Sequence, residues 1–408
     1  MGMALGEPPA LLRALGERLR SGNLSDLHVW YFHSLPAAGE TILRYELMDR
    51  VHPHCMFLGP YERELIRRGE AEGRKLVDFI PMAFSESATL FSRVPIDTFI
   101  TTVSPMDRHG WFTFGTNNDY ATTLARSAEN LIVEVNPHMP RVFGDSLLHV
   151  SEVDTIIEND QPLLEVPIPA AVAEDQAIGR IVEEMVEDGA CLQMGIGALP
   201  NAVCTALKDR RDLGIHTELF MPGFAELVRS GAVTNRRKVT NAGRSVFTFA
   251  IGDRALYDLI DENPSIASHP VSIVNDPRHI AKNPKVVSVN ATLQIDLSGA
   301  CNSEHMMGHQ YSGSGGQLDF VRGAYASAGG KSIIACHSTA KGGKLSRIVA
   351  QLDGPVTTPR NDTHWVVTEF GSANLKGMSL SDRARILIGL AHPNFRDELT
   401  VTARKMNL

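Results

Sequence analysis

The sequence predicts an α/β protein built as two doubly wound domains, and three observations carry that prediction. Short apolar or β-branched runs recur at residues 27–32, 98–103, 131–135, 271–274, 286–289, 332–335 and 365–368, with helical segments or loops between them. Strands that alternate with helices call for a parallel sheet rather than a sandwich. A chain of 408 residues also exceeds one ordinary domain. Finally, residues 165–171 (EVPIPAA) set two prolines between acidic, helix-compatible stretches, the mark of a linker. The expected domains are therefore 1–170 and 171–408.

Taken in order, residues 2–20 read as the end of a glycine turn feeding a helix, with Leu11, Leu12, Leu15 and Leu19 on one face. An α/β unit would have a strand ahead of that turn. Its absence creates the expectation that the first strand is missing and that the chain starts late. Residues 27–32 form a strand, and His52-Pro53-His54-Cys55 reads as a loop carrying histidines that no second ligand cluster faces. Short strands at 56–58 and 79–82 flank a basic helix, 61–74.

The second half opens with a helix, 175–188, and then the stretch that organises the chain. An apolar run, 190–194, ends in Gly195-Ile196-Gly197-Ala198-Leu199-Pro200. A segment with Ala202, Val203, Ala206 and Leu207 at helical spacing follows. Strand, glycine turn and helix together let a backbone approach a ligand and offer free N–H groups to an anion; Pro200 suits a first helical turn. A further β-like run, 214–220, carries Glu218. Downstream, residues 312–317 (SGSGGQ) make a second glycine loop ahead of Leu318-Asp319-Phe320. The last helix covers 380–391, and HPNFRDEL reads as a tail.

The bulk numbers exclude several classes. A net charge of −8 with no long Lys/Arg run argues against nucleic acid as a partner, and no apolar run reaches the roughly 18 residues of a membrane span. The start, MGMALGEPPALLRAL, lacks a basic end and a long apolar core, so no signal peptide is expected. Five scattered cysteines, 55, 191, 204, 301 and 336, read as reduced thiols in a cytoplasm. His305 and His309, with Glu304 and Cys301 nearby, mimic a metal motif. The zinc-protease order is absent and Gly308 weakens a helix there, so no metal is expected.

The organising stretch admits two readings. In a dinucleotide-binding unit, an acid about 20 residues beyond the glycines holds a ribose hydroxyl, and Glu218 lies near that place. In the other, Glu218 is a carboxylate nucleophile beside a bound thioester cofactor. The local pattern leaves both open.

The wider sequence adds a resemblance. HTELF around Glu218, MGIGALPNAV before it, SGGQLDFVRGA, TEFGSANLKG, NPHMPRVFGDSLLHVSEVD and AHPNFRDEL resemble, in order, the acetyl-CoA hydrolase/transferase family. Within it, the likeness is greatest to the 4-hydroxybutyrate and itaconate CoA-transferases. The resemblance implies two CoA-transferase-type α/β domains facing each other across a cleft that binds coenzyme A. Residues 1–170 would form the acyl and acceptor side, and 171–408 would carry the catalytic glutamate and the CoA-binding loops.

The family's glutamate, which becomes a glutamyl-CoA thioester in a ping-pong exchange, falls on Glu218. Its CoA-binding backbone falls on Gly195, Ile196, Gly197, Ala198 and Leu199. Its loop glycine falls on Gly316 and its active-site asparagine on Asn290. Coenzyme A is then a substrate rather than a resident cofactor, and the protein a cytoplasmic homo-oligomer. Acetyl-, butyryl- or succinyl-CoA would donate, and 4-hydroxybutyrate or itaconate would accept. The polar runs 84–87 and 116–120 are candidates for shaping the acceptor site. As a nucleophile, Glu218 is expected to be ionised at neutral pH without a large upward pKa shift. The alternatives are an acyl-CoA hydrolase, an NAD-binding oxidoreductase and a non-catalytic CoA sensor.

Overall fold

Leu12 and Leu19, two helical turns apart, are fully buried, and the helix that carries them, α1 (Pro9–Arg20), enters through Pro9 in its first turn. The computed structural model describes residues 1–167 and 169–408; Ile168, inside the linker candidate, lies outside the described residues. Two compact units are present. The first contains residues 1–166 together with 248–273 and 311–315, and the second contains 167–247, 274–310 and 316–408.

In the first unit, β1 (Leu27–Tyr31), β2 (Val51–Cys55) and β3 (Asp78–Phe79) form a parallel sheet with β2 in the middle. Helix α2 (Pro60–Glu72) connects β2 to β3. A second parallel set consists of β4 (Thr98–Val103), β5 (Asn130–Val135) and β6 (Thr155–Glu158). The amino group of Met1 donates to Trp30 O and the Gly2 N–H to Ile100 O, so the first two residues touch both sets. Phe84, Phe91, Phe99, Phe112, Phe114 and Tyr120 fill the core beside the second set.

Three expectations fail here. Residues 52–55 are not a loop but most of β2, and the strand expected at 56–58 ends at Cys55 instead. A proline inside a short polar run argues against a strand, yet the apolar residues Val51, Pro53 and Cys55 alternate inward with period two. That alternation puts His52 and His54 together on the opposite face. His52 stands in register with His28 of β1, so a second set of ligand-type side chains does face the histidines.

In the second unit, α3 (Ala173–Met185) precedes β7 (Cys191–Met194), α4 (Ala198–Ala206) and β8 (Gly214–Ile215). The chain returns to the same sheet as β9 (Val286–Ala291), α5 (Gln317–Ala326), β10 (Lys331–Ala335), β11 (Trp365–Thr368) and β12 (Gly371–Asn374). The order across the sheet is β8-β7-β9-β10-β11-β12. The first five strands are parallel, and β12 closes the edge antiparallel to β11. Cys191, Leu192, Val286, Val287, Val289, Ile333 and Ile334 are all buried, which is the near-continuous apolar pattern of strands covered on both faces. The doubly wound α/β class expected from the sequence is present.

Three further differences concern short segments. Val271–Val274 is a helical turn rather than a strand, because four apolar residues fit either period. HPNFRDEL is not a tail: it begins α7 (Pro393–Lys405), which follows α6 (Leu380–Leu390) and buries Leu399 and Ala403 in the same cluster as Leu387. Residues 305–310 form a hairpin in which Met306 pairs with His309 around Met307 and Gly308, both at positive φ. His305 and His309 therefore never share a helix face.

Candidate active site

In a doubly wound sheet, ligands bind beyond the carboxyl ends of the strands, at the point where the strand order reverses. The first strand of this sheet in chain order, β7, lies between β8 and β9, the next two strands of the same sheet. The reversal therefore falls between β7 and β9. Three sequence-predicted elements stand at this edge. The Gly195 turn leaves β7, Glu218 follows β8, and Asn290 is the penultimate residue of β9.

The turn does what its glycines allow. Gly195 N–H donates to Val289 O at 2.8 Å, which ties the end of β7 to β9. Gly197 adopts φ 121° and ψ −176°, a region open essentially to glycine alone. Ile196 projects outward, 67 % exposed, while Leu199 is buried at the start of α4. Asn290 and Gln193 exchange amide hydrogen bonds, Gln193 Nε2 to Asn290 Oδ1 at 3.2 Å and Asn290 Nδ2 to Gln193 Oε1 at 3.1 Å. This reciprocal pair spans the switch point from strand to strand. Asn290 thus stands at the edge of the site with its amide engaged by Gln193, a residue hidden at sequence level inside an apolar run.

Glu218 sits where the backbone stops being a strand. His216 N–H donates to Leu192 O and Thr217 N–H to Val246 O. The imidazole of His216 donates through Nε2 to Val274 O at 2.8 Å, and Thr217 Oγ1 donates to Leu219 O. With both preceding residues buried and anchored, the Glu218 side chain is aimed rather than free.

Its carboxylate receives two donors. Asn275 Nδ2 reaches Oε2 at 2.6 Å, and the Gly316 backbone N–H forms a second bond. Gly316 is the N-cap of α5, so the carboxylate also faces the positive end of a helix. A Cβ on residue 316 would overlap both Glu218 Oε2 and Asn275 Nδ2, and glycine is required there for that close approach.

Asp319, one turn into α5 and buried, approaches the same amide, with Asn275 Nδ2 at 3.4 Å from its Oδ2. Loss of solvent pushes the Glu218 carboxyl up to about 7, and the Asp319 charge adds to that rise. The Asn275 and Gly316 bonds pull the other way. The expectation of no large upward shift is therefore corrected. Burial beside a second carboxyl outweighs the donors, because desolvation penalises only the charged form.

The structure brings Glu218 and Gly316 together, as predicted, and adds Asn275 and Asp319, which no sequence signal singles out. Asp319 lies inside the SGGQLDFVRGA motif. Asn275 follows the apolar run expected as a strand. The polar run 116–120 turns out to be buried framework in the first unit: Asn118 Nδ2 donates to Asp145 O at 2.7 Å and its N–H to Thr248 O.

Comparison with known proteins identifies the family. Residues 1–168 match the acetyl-CoA hydrolase/transferase N-terminal domain, and residues 252–403 match the C-terminal domain of the same family. Succinyl-CoA:cyclohexane-1-carboxylate CoA transferase of Geobacter metallireducens is 45 % identical over 99 % of this chain and 91 % of its own. The 4-hydroxybutyrate coenzyme A transferase of Clostridium kluyveri is 43 % identical over 97 % of this chain and 91 % of its own. The crystal structure of RipA from Yersinia pestis superimposes with a TM-score of 0.98 at 58 % identity, covering 100 % of this chain and 93 % of that one. With both domain models matched and near-complete coverage of these relatives, the chain belongs to the acetyl-CoA hydrolase/transferase family.

Proposed function

We propose that the protein is a CoA-transferase that moves coenzyme A between short-chain carboxylic acids through a glutamyl-CoA thioester on Glu218. The observation that carries this reading is the setting of one carboxylate. Glu218 lies at the carboxyl edge of a parallel sheet, with a helix-capping N–H against it and no space for a side chain at Gly316.

The Glu218 carboxylate attacks the carbonyl of the donor thioester. A tetrahedral oxyanion forms, the CoA thiolate leaves, and a mixed anhydride of Glu218 and the donor acid remains. The thiolate then attacks the glutamyl carbonyl, the donor acid departs as a carboxylate, and Glu218 holds CoA as a thioester. An acceptor carboxylate runs the same steps backwards. Each addition places negative charge on an oxygen, and the Gly316 N–H is the donor positioned for it; removing one such donor raises a barrier by about 3 kcal/mol.

A carboxyl titrating near 7 suits both halves of the cycle: enough of it is ionised to attack at neutral pH, and its poor solvation makes it a stronger nucleophile. The Gly195–Leu199 turn and the α4 N-terminus are the segment for CoA itself. Acetyl-, butyryl- or succinyl-CoA are the proposed donors, and 4-hydroxybutyrate or itaconate the acceptors. Five buried free thiols support a reducing, cytoplasmic setting. No helix among the described residues is long and apolar enough to cross a membrane.

The test is chemical. Acyl-CoA without an acceptor should leave a covalent CoA adduct, and borohydride should reduce it and inactivate the enzyme only when acyl-CoA was present. Peptide mapping should locate the reduced residue within 214–220. Full transfer activity with no label on Glu218 would refute the mechanism, and release of free CoA at the same rate with or without an acceptor would identify a hydrolase.

A further inference from the structure

The parallel register of β1 and β2 sets His28 beside His52 and Trp30 beside His54 on one exposed face of the first unit, with Asp26 just ahead of β1. We propose that Asp26, His28 and His52 form a binding site for a divalent transition-metal ion of the zinc class, with His54 orienting His28. The three donor atoms lie within 4.8 Å of one another. Asp26 Oδ1 is 3.5 Å from His28 Nε2 and 3.3 Å from His52 Nε2. A tetrahedral zinc ion with bonds of about 2.0–2.1 Å holds neighbouring ligands roughly 3.3 Å apart, so two of the three edges already have the required length. The third closes by rotation of two side chains, since the His28 and His52 rings are stacked at 4.6 Å and 27°. Two imidazoles and one carboxylate leave the remaining positions to water.

A further histidine backs the site. His28 Nδ1 is 2.9 Å from His54 Nε2, and His54 Nδ1 faces Asp78 Oδ2 at 3.7 Å, across the β2–β3 pair. The 2.9 Å contact engages His28 Nδ1 with His54 Nε2. That leaves His28 Nε2 turned toward Asp26 Oδ1, where an ion would sit. His54 stacks on Trp30 at 4.3 Å, which keeps its ring in place. A ligand histidine backed by a second polar group is the usual construction of a metal site, and loss of such a backing group weakens binding about 10–100-fold. The ligands come from a β1 edge strand and its neighbour, so the ion would tie those two strands together.

The experiment uses the tag-free full-length protein after treatment with a chelator. Zn²⁺ titrated by calorimetry should bind one ion per chain at micromolar concentration and raise the melting temperature saturably, while Mg²⁺ does neither. Co²⁺ in the same site should give visible absorption bands of low coordination number. Asp26→Asn, His28→Gln and His52→Gln should each weaken Zn²⁺ at least tenfold. His54→Gln should weaken it by about 10–100-fold and leave the Co²⁺ band positions in place, because it is not a ligand. Asp26, with 73 % of its side chain exposed, provides the variant least able to disturb folding. Absence of saturable Zn²⁺ binding below about 1 mM would overturn the proposal, as would wild-type affinity in Asp26→Asn and His52→Gln together, which would place any bound zinc elsewhere.

Discussion

Glu218→Gln should make the protein more stable while abolishing transfer, and the gain should depend on pH in a defined direction. The Glu218 carboxyl titrates near 7 in the folded protein against an ordinary value of 4.5. A pKa displaced by one pH unit corresponds to about 1.36 kcal/mol, so the ionised carboxylate costs the folded state at most about 3 kcal/mol. Below pH 4.5 the group is protonated folded and unfolded, and no cost is present. Between 4.5 and 7 the folded state holds the proton more tightly, so stability falls as pH rises. Above 7 the full cost persists.

Glutamine reproduces the neutral form at every pH. Its carbonyl can still accept from Asn275 Nδ2 and the Gly316 N–H. The variant should therefore gain up to about 3 kcal/mol at pH 8 and almost nothing at pH 4.5, measured by urea unfolding at both pH values. For a cooperative unit of roughly 200 residues the gain at pH 8 corresponds to a rise of about 6–12 °C in melting temperature. Equal stability of variant and wild type at pH 8, or an equal gain at both pH values, would refute the account of Glu218 as a carboxylate strained by desolvation. A stabilised, inactive variant is the trade expected where a site is built for reaction rather than rest.

The same geometry gives three more expectations. Gly316→Ala should cut kcat by about 10²–10³-fold, because its methyl group displaces Glu218 and Asn275, while the KM for acyl-CoA changes little; steady-state kinetics at several acyl-CoA concentrations separates the two effects. For the wild type, kcat/KM for acyl-CoA should rise about tenfold per pH unit up to about 7 and then level, since only ionised Glu218 attacks. Asn275→Ala removes a bond that favours the ionised form, so its profile should level off at a higher pH. A mutant profile that bends at a lower pH would contradict the role assigned to the Asn275 amide.

Much of this architecture is legible in local pattern. The apolar strand, glycine turn and helix from Cys191 to Ala206 can be read directly, because a period change and two glycines are local signals. The buried face of α1 and the alternation that gives a parallel sheet are of the same kind. Short segments are less legible. Pro53 disguises β2, whose alternation involves only three inward residues, and Val271–Val274 is too short for its period to decide.

The residues around Glu218 divide the same way. Glu218 and Gly316 can be named because each sits in a recognisable stretch of sequence. Asn275 carries no such signal, and Asp319, though it shares the stretch of Gly316, has nothing in the sequence that marks its role. Asn275 is 57 residues from Glu218 and 44 from Asp319, and only the winding of the chain into and out of the sheet brings the three together.

The same holds for protonation. A glutamate's identity is written in the sequence, but the solvent it loses depends on what packs around it, and that burial is what moves its pKa to about 7. The histidines of β1 and β2 follow this rule as well: the residue types are local, whereas the register that aligns His28 with His52 is set by strand pairing. Sequence alone determined which groups the protein owns and which elements carry them. Tertiary structure decided which groups meet and how strongly each holds its charge, because distance and desolvation are properties of the packed chain.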